Sequence, residues 1–196
     1  MSATTDYPLF PLSQPLFPQQ VIPLKIFEPR YLDLISRCLK EDSTFGVVQI
    51  REGKEVGNVP LIFQVGVEAR IVDWSQMPNG LLGIQIRGER KFSVTGTRIG
   101  ERNLTLAEVE WLPDEPELPI PPHFDGLVEL QQQLTQHPVV QAMNLPSLTD
   151  SRTLGWQLAM LLPMSMPERV NLLSLSDPLL RLEKLAVIVE RLGEGE

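Results

Sequence analysis

Between Leu112 and His123 the chain reads LPDEPELPIPPH, and five of these twelve residues are proline. Proline removes backbone donors and confines its predecessor to extended conformations, so this run can be neither a helix nor a central strand. Before it, apolar residues alternate with a period of two. After it, they recur with a helical period. The division predicts a β-rich part over residues 1–112, a semi-rigid extended connector over 113–123 and a small α-helical bundle over 124–196. Strands followed by helices argue for an α+β fold.

In the first part, Phe45 to Ile50 is a short apolar run rich in β-branched residues. Val65, Val67, Ala69 and Ile71 alternate with Glu68 and Arg70, the pattern of a half-buried strand. Pro78-Asn79-Gly80 is a turn signal, and Leu82, Ile84 and Ile86 resume the alternation, which predicts a hairpin. Lys91–Ile99 and Leu104–Trp111 supply two further strands. Gly46, Gly66, Gly83, Gly88 and Gly96 lie in or beside these strands, as they would at bulges and tight bends of a barrel-like sheet. One helix interrupts the strands: Tyr31, Leu34, Ile35, Cys38 and Leu39 share a face, and Pro29 suits the first turn. PLFP occurs at Pro8–Pro11 and Pro15–Pro18, too short a unit for a repeat architecture.

In the second part, Phe124, Leu127, Val128 and Leu134 predict one helix, and Leu154, Leu158, Leu161 and Leu162 a second capped by Thr149 or Asp150. A short third begins near Pro167. The fourth has Asp177 as N-cap, Pro178 at its first position and a stripe of Leu182, Leu185, Ala186, Val189 and Leu192, with Gly193 as its stop.

With 17 basic and 25 acidic residues the net charge is −8, which argues against a nucleic-acid binder relying on a basic face. Cys38 is the single cysteine, so no internal disulfide can form, and a reducing compartment is expected. The N-terminus has no basic segment and no unbroken apolar core, and no stretch approaches the length of a membrane span. The expectation is a cytoplasmic protein without a membrane.

Catalytic constellations are missing from the sequence. At Gly53-Lys54, Val48 stands where a phosphate-binding loop needs its first glycine and Glu55 where it needs Ser or Thr. There is no G-x-S-x-G elbow, and none of the five lysines follows a serine at the S-x-x-K spacing. His123 and His137, the only histidines, would stand about 21 Å apart on a helix and could not share a metal. Cys38 falls on an apolar stripe and reads as a small hydrophobe. No catalytic residue, metal or cofactor is expected, and the chain is read as not an enzyme.

An ordered set of segments resembles the Lon protease N-terminal domain family. Pro8-Leu9-Phe10-Pro11-Leu12 and Leu16-Phe17-Pro18 precede Ile22-Pro23-Leu24-Lys25-Ile26-Phe27-Glu28-Pro29-Arg30-Tyr31. Phe63-Gln64-Val65-Gly66-Val67 with Ala69-Arg70-Ile71, and then Gly88-Glu89-Arg90-Lys91-Phe92, follow in order. Leu162-Pro163, Pro167-Glu168, Leu173-Ser174, Asp177-Pro178 and Arg181-Leu182 continue the likeness through the helices. The resemblance implies a distorted PUA-like β-barrel followed by a helical bundle. It also implies substrate-polypeptide recognition, in a family where this region precedes ATPase and Ser-Lys protease modules that these residues do not contain. Phe10, Phe17 and Phe27 are expected in the core.

The expected partners are unfolded or exposed polypeptide segments, with a separate ATPase or protease as a further partner. Met143, Met160, Met164 and Met166 fall close together around Trp156. Flexible thioethers suit either a surface for varied apolar partners or a bundle core with gaps to fill. Trp74 and Met77 precede the hairpin turn. These seven residues are the candidate polypeptide contacts. The alternative is RNA binding, suggested only by the PUA-like fold, with Arg87, Arg90, Lys91, Arg98 and Arg102 as its patch.

Overall fold

The structure is a computed structural model and describes residues 3–78 and 81–194. The chain forms two compact units, Met1–Pro113 and Asp114–Glu196. Asn79 and Gly80 of the expected turn lie outside the described residues.

The first unit contains β1 (Ala3–Leu12), β2 (Val21–Ile26), α1 (Pro29–Glu41), β3 (Phe45–Glu52), β4 (Leu61–Gln76), β5 (Leu82–Ile99) and β6 (Thr105–Trp111). The strands form one mixed sheet in the order β2-β5-β4-β3-β1-β6. β1 runs parallel to β3, and the connection that such a pair requires is supplied by β2 and α1. β5 also pairs with β6, so the pairings β1–β3–β4–β5–β6–β1 close on themselves, with β2 attached outside the ring on β5.

The sequence pattern predicts separate strands at Leu82–Ile86 and Lys91–Ile99, whereas β5 is one strand of 18 residues. β2 pairs along Leu82–Arg87, β4 along Leu82–Ser93 and β6 along Phe92–Ile99. The break in alternation falls at Gly88, where a Cβ would stand 2.2 Å from the Phe17 carbonyl oxygen. The glycine marks a crossing by the β1–β2 loop, not the end of a strand. Gly46 and Gly66 serve packing in a similar way. The Phe92 ring lies over both, so close that added Cβ atoms would come within 2.6 and 2.4 Å of its Cζ. These positions make room for a ring where the pattern suggests bends.

Phe92 is fully buried with Tyr7, Leu9, Val48, Val94, Ala107 and Val109. Tyr7 and Trp111 meet its ring edge-on, at 5.7 and 5.8 Å between centroids. α1 buries Tyr31, Leu34, Ile35 and Cys38, and Tyr31 stacks on Phe10 at 4.0 Å. Leu39 and Phe27 depart from expectation. Leu39 is exposed at the edge of the helical stripe, and Phe27, one residue beyond β2, is 52% exposed instead of in the core.

The second unit contains α2 (Asp125–Thr135), α3 (Pro138–Gln141), α4 (Ser151–Leu161), α5 (Met166–Ser174) and α6 (Pro178–Gly193). Asp150 caps α4 by accepting from the Thr153 amide, and Asp177 caps α6 by accepting from Leu179. Ser165 and Glu168 form a reciprocal capping box at α5. Leu154, Leu158, Leu172, Leu182 and Leu185 fill the core. Ile188, outside the expected stripe of α6, is buried as well. Gly193 closes the last turn of α6 without a positive φ.

The proline-rich run is extended, but it is not a free connector. Its Leu118 and Pro119 carbonyls accept from the Ser151 amide and hydroxyl, both at 2.8 Å. Arg152 and Arg181 hold Glu115. From Asp114 onward the run is part of the helical unit.

Candidate functional site

Among the described residues no group of three His, Cys, Asp or Glu side chains could hold a metal ion. The buried Cys38 thiol has its pKa pushed up by desolvation, the opposite of an activated nucleophile. No helix among the described residues is long and apolar enough to cross a membrane.

The basic patch of the RNA alternative is not a field of free cations. Arg87 pairs with Glu89, Arg90 with Glu68, Arg98 with Asp6 and Arg102 with Asp33, while Lys91 is 5% exposed. Each of these four guanidiniums already faces a carboxylate.

The methionine cluster divides. Trp156 is 1% exposed and Met164 is buried, which removes both from any contact surface. Trp156 lies under the guanidinium of Arg181, whose Cζ sits 3.4 Å from its ring centroid. Met143, Met160 and Met166 are half-buried. The helical unit also has a largely apolar hollow of about 420 Å³, lined by Pro167, Leu172, Lys184, Val187 and Ile188 among others.

At the far end of the β4–β5 hairpin the side chains are placed differently. The Met77 amide donates to the Leu81 carbonyl and closes the hairpin loop. Trp74 is 59% exposed and its own amide donates to the Asp73 carboxylate at 2.9 Å. The residue pairs run across three strands: Leu24 beside Ile84 beside Trp74, and Lys25 beside Gly83 beside Ser75. Trp74 and Met77 both line a hollow of about 180 Å³, together with Pro23, Lys25, Asp73 and Gly83. The Met77 side chain packs toward Gly83, whose Cβ, if present, would lie 3.4 Å from the Met77 Cγ. Sequence reasoning finds Trp74 and Met77 because they flank a turn. It misses Pro23 and Lys25, because only the register of β2 on β5 brings them there, and Gly83, which the β4–β5 pairing sets opposite Ser75.

The model of the ATP-dependent protease La (LON) substrate-binding domain matches residues 6–191. The chain belongs to that family. A Lon N-terminal domain protein from Xanthomonas campestris has the same fold, with a TM-score of 0.76 and 33% identity over 95% of this chain and 98% of its own. The N-terminal domain of Lon protease from the Mycobacterium avium complex shares the fold at a TM-score of 0.64 and 17% identity, covering 94% of this chain and 96% of its own. Lon protease 1 of Hydrogenovibrio crunogenus is 24% identical over 186 residues, which are 89% of this chain and 22% of that protein. The chain therefore spans about a fifth of the length of that full Lon protease. Membership in the LON substrate-binding domain family accounts for the α+β order of strands and then helices.

Proposed function

We propose that this chain is a non-catalytic polypeptide-recognition module that captures exposed apolar segments of non-native chains in the cytoplasm. The observation that carries the reading is Trp74. A large aromatic side chain, 59% exposed beside Met77 and an open hollow, buries apolar area only when something else covers it. Family membership supports a polypeptide as that partner. Of the methionine cluster, Met143, Met160 and Met166 remain as secondary contacts. A separate ATPase or protease is the partner class that would act on the captured chain. The self-closing ring of strand pairings supports reading the first unit as a distorted, PUA-like barrel.

The test is fluorescence anisotropy with a labelled, permanently unfolded protein and its folded counterpart, at low and high salt. Selective binding of the unfolded chain that survives high salt is the expected result, since apolar burial is not screened. Trp74→Ala should weaken it about tenfold, the loss expected when a large apolar contact is removed. An absence of binding at high micromolar protein would remove the reading. Binding that collapses with salt would favour a polyanion instead.

A further inference from the structure

We propose that the hollow over Gly83 takes one apolar side chain of a bound polypeptide, and selects segments in which that residue has an acid on one side and a base on the other. The inference rests on the polypeptide-recognition reading and adds a sequence preference to it. Gly83 does not have a positive φ, so its backbone does not require glycine. What the missing side chain provides is a floor: a hollow of about 180 Å³, with Pro23, Met77 and Trp74 among its lining residues. That is room for a single aliphatic side chain and not for a helix.

The rim carries opposite charges on opposite sides. Lys25 stands on β2, on the same cross-strand row as Gly83 and Ser75. Asp73 stands on β4, two rows along, in the row of Pro23 and Gln85. Among the described residues Lys25 has no ion pair and the Asp73 carboxylate accepts only from the Trp74 amide. A segment lying across the strands therefore meets a cation at one end of the hollow and an anion at the other. The segment does not enter as an added strand. The Gly88 amide of β5 donates to the Gln20 carbonyl just before β2, and alternation from that bond puts position 23 among those facing the free edge of β2. Pro23 has no amide hydrogen to offer there. Capture over the sheet face remains.

The experiment uses the whole chain and short Gly/Ser-rich peptides carrying Asp-Leu-Lys, Lys-Leu-Lys or Asp-Leu-Asp, read by competition against the labelled unfolded protein. Asp-Leu-Lys should compete best, by about two- to fivefold, the scale of an exposed ion pair. Lys25→Glu makes both sides of the rim acidic and should move the preference to Lys-Leu-Lys. Gly83→Leu fills the hollow and should weaken all three peptides about tenfold or more. If that variant does not fold, Met77→Asp places a charge on the same wall and should do the same. Equal competition by the three peptides, or an unchanged ranking in Lys25→Glu, overturns the proposal. Unaltered affinity in a folded Gly83→Leu does so too. In each of those cases the unfolded protein still binds and Trp74→Ala still weakens it. If the wild-type chain binds no unfolded protein at all, the recognition reading itself falls.

Discussion

Arg181 holds both carboxylate oxygens of Glu115, at 2.8 and 2.5 Å, with no part of the arginine exposed to solvent. The guanidinium also donates to the Leu172 and Leu175 carbonyls and lies on the Trp156 ring. Gly155 makes room for it, since a Cβ there would stand 3.0 Å from the Arg181 Cδ. Burial lowers the Arg181 pKa, and Glu115 works against that by favouring the charged form.

Glu115→Ala should therefore destabilise the chain by about 3–5 kcal/mol, because it leaves a buried guanidinium without its anion. Urea denaturation measures this. The double variant Glu115→Leu with Arg181→Met should recover much of the loss, because two apolar groups need no partner. A double variant as unstable as the single one would contradict this account.

Gly66→Ala should destabilise by about 1–3 kcal/mol, the usual cost of overpacking a filled core. The added methyl collides with Phe92 and also with the Val47 carbonyl oxygen at 2.8 Å. Thermal unfolding should show Phe92→Leu relieving part of the Gly66→Ala loss, and the two substitutions should not be additive.

The capping box makes α5 acid-sensitive. Arg191, followed by the Ser165 hydroxyl and amide, holds the Glu168 carboxyl down to about 2. A carboxylate depressed in the folded state contributes stability above its ordinary value near 4.5, and that contribution fades as pH falls toward 2. Acid titration followed by circular dichroism should show wild type losing stability across that window. Glu168→Gln should start less stable at neutral pH and show a smaller decline.

In a Trp111→Phe background, which removes the third tryptophan, Trp74 and Trp156 should separate in one fluorescence experiment. Acrylamide should quench Trp74, which is 59% exposed, and leave Trp156, at 1%, nearly untouched. Trp74→Ala should change stability by less than about 0.5 kcal/mol, and Trp156→Ala should lower it by about 3–5 kcal/mol. Acrylamide protection of Trp74 on adding the unfolded protein would place the contact.

Much of this molecule is readable in local sequence. The proline run marks where the period of apolar residues changes, and Asp150 and Asp177 mark helix starts. Capping and periodicity depend on neighbours within a turn or two. The tertiary structure alone decided which tryptophan meets solvent. Trp156 lies beneath Arg181, and Trp74, between Asp73 and Ser75, stands near a hairpin end. It also decided that β5 continues through Gly88, because the reason for that glycine is the Phe17 carbonyl far back in the chain. The hollow over Gly83 likewise exists only because β2 pairs with β5 in one register. Helical turns bond residues close in sequence. Strand pairings and side-chain stacks join residues tens of positions apart, and no short stretch of sequence carries that information.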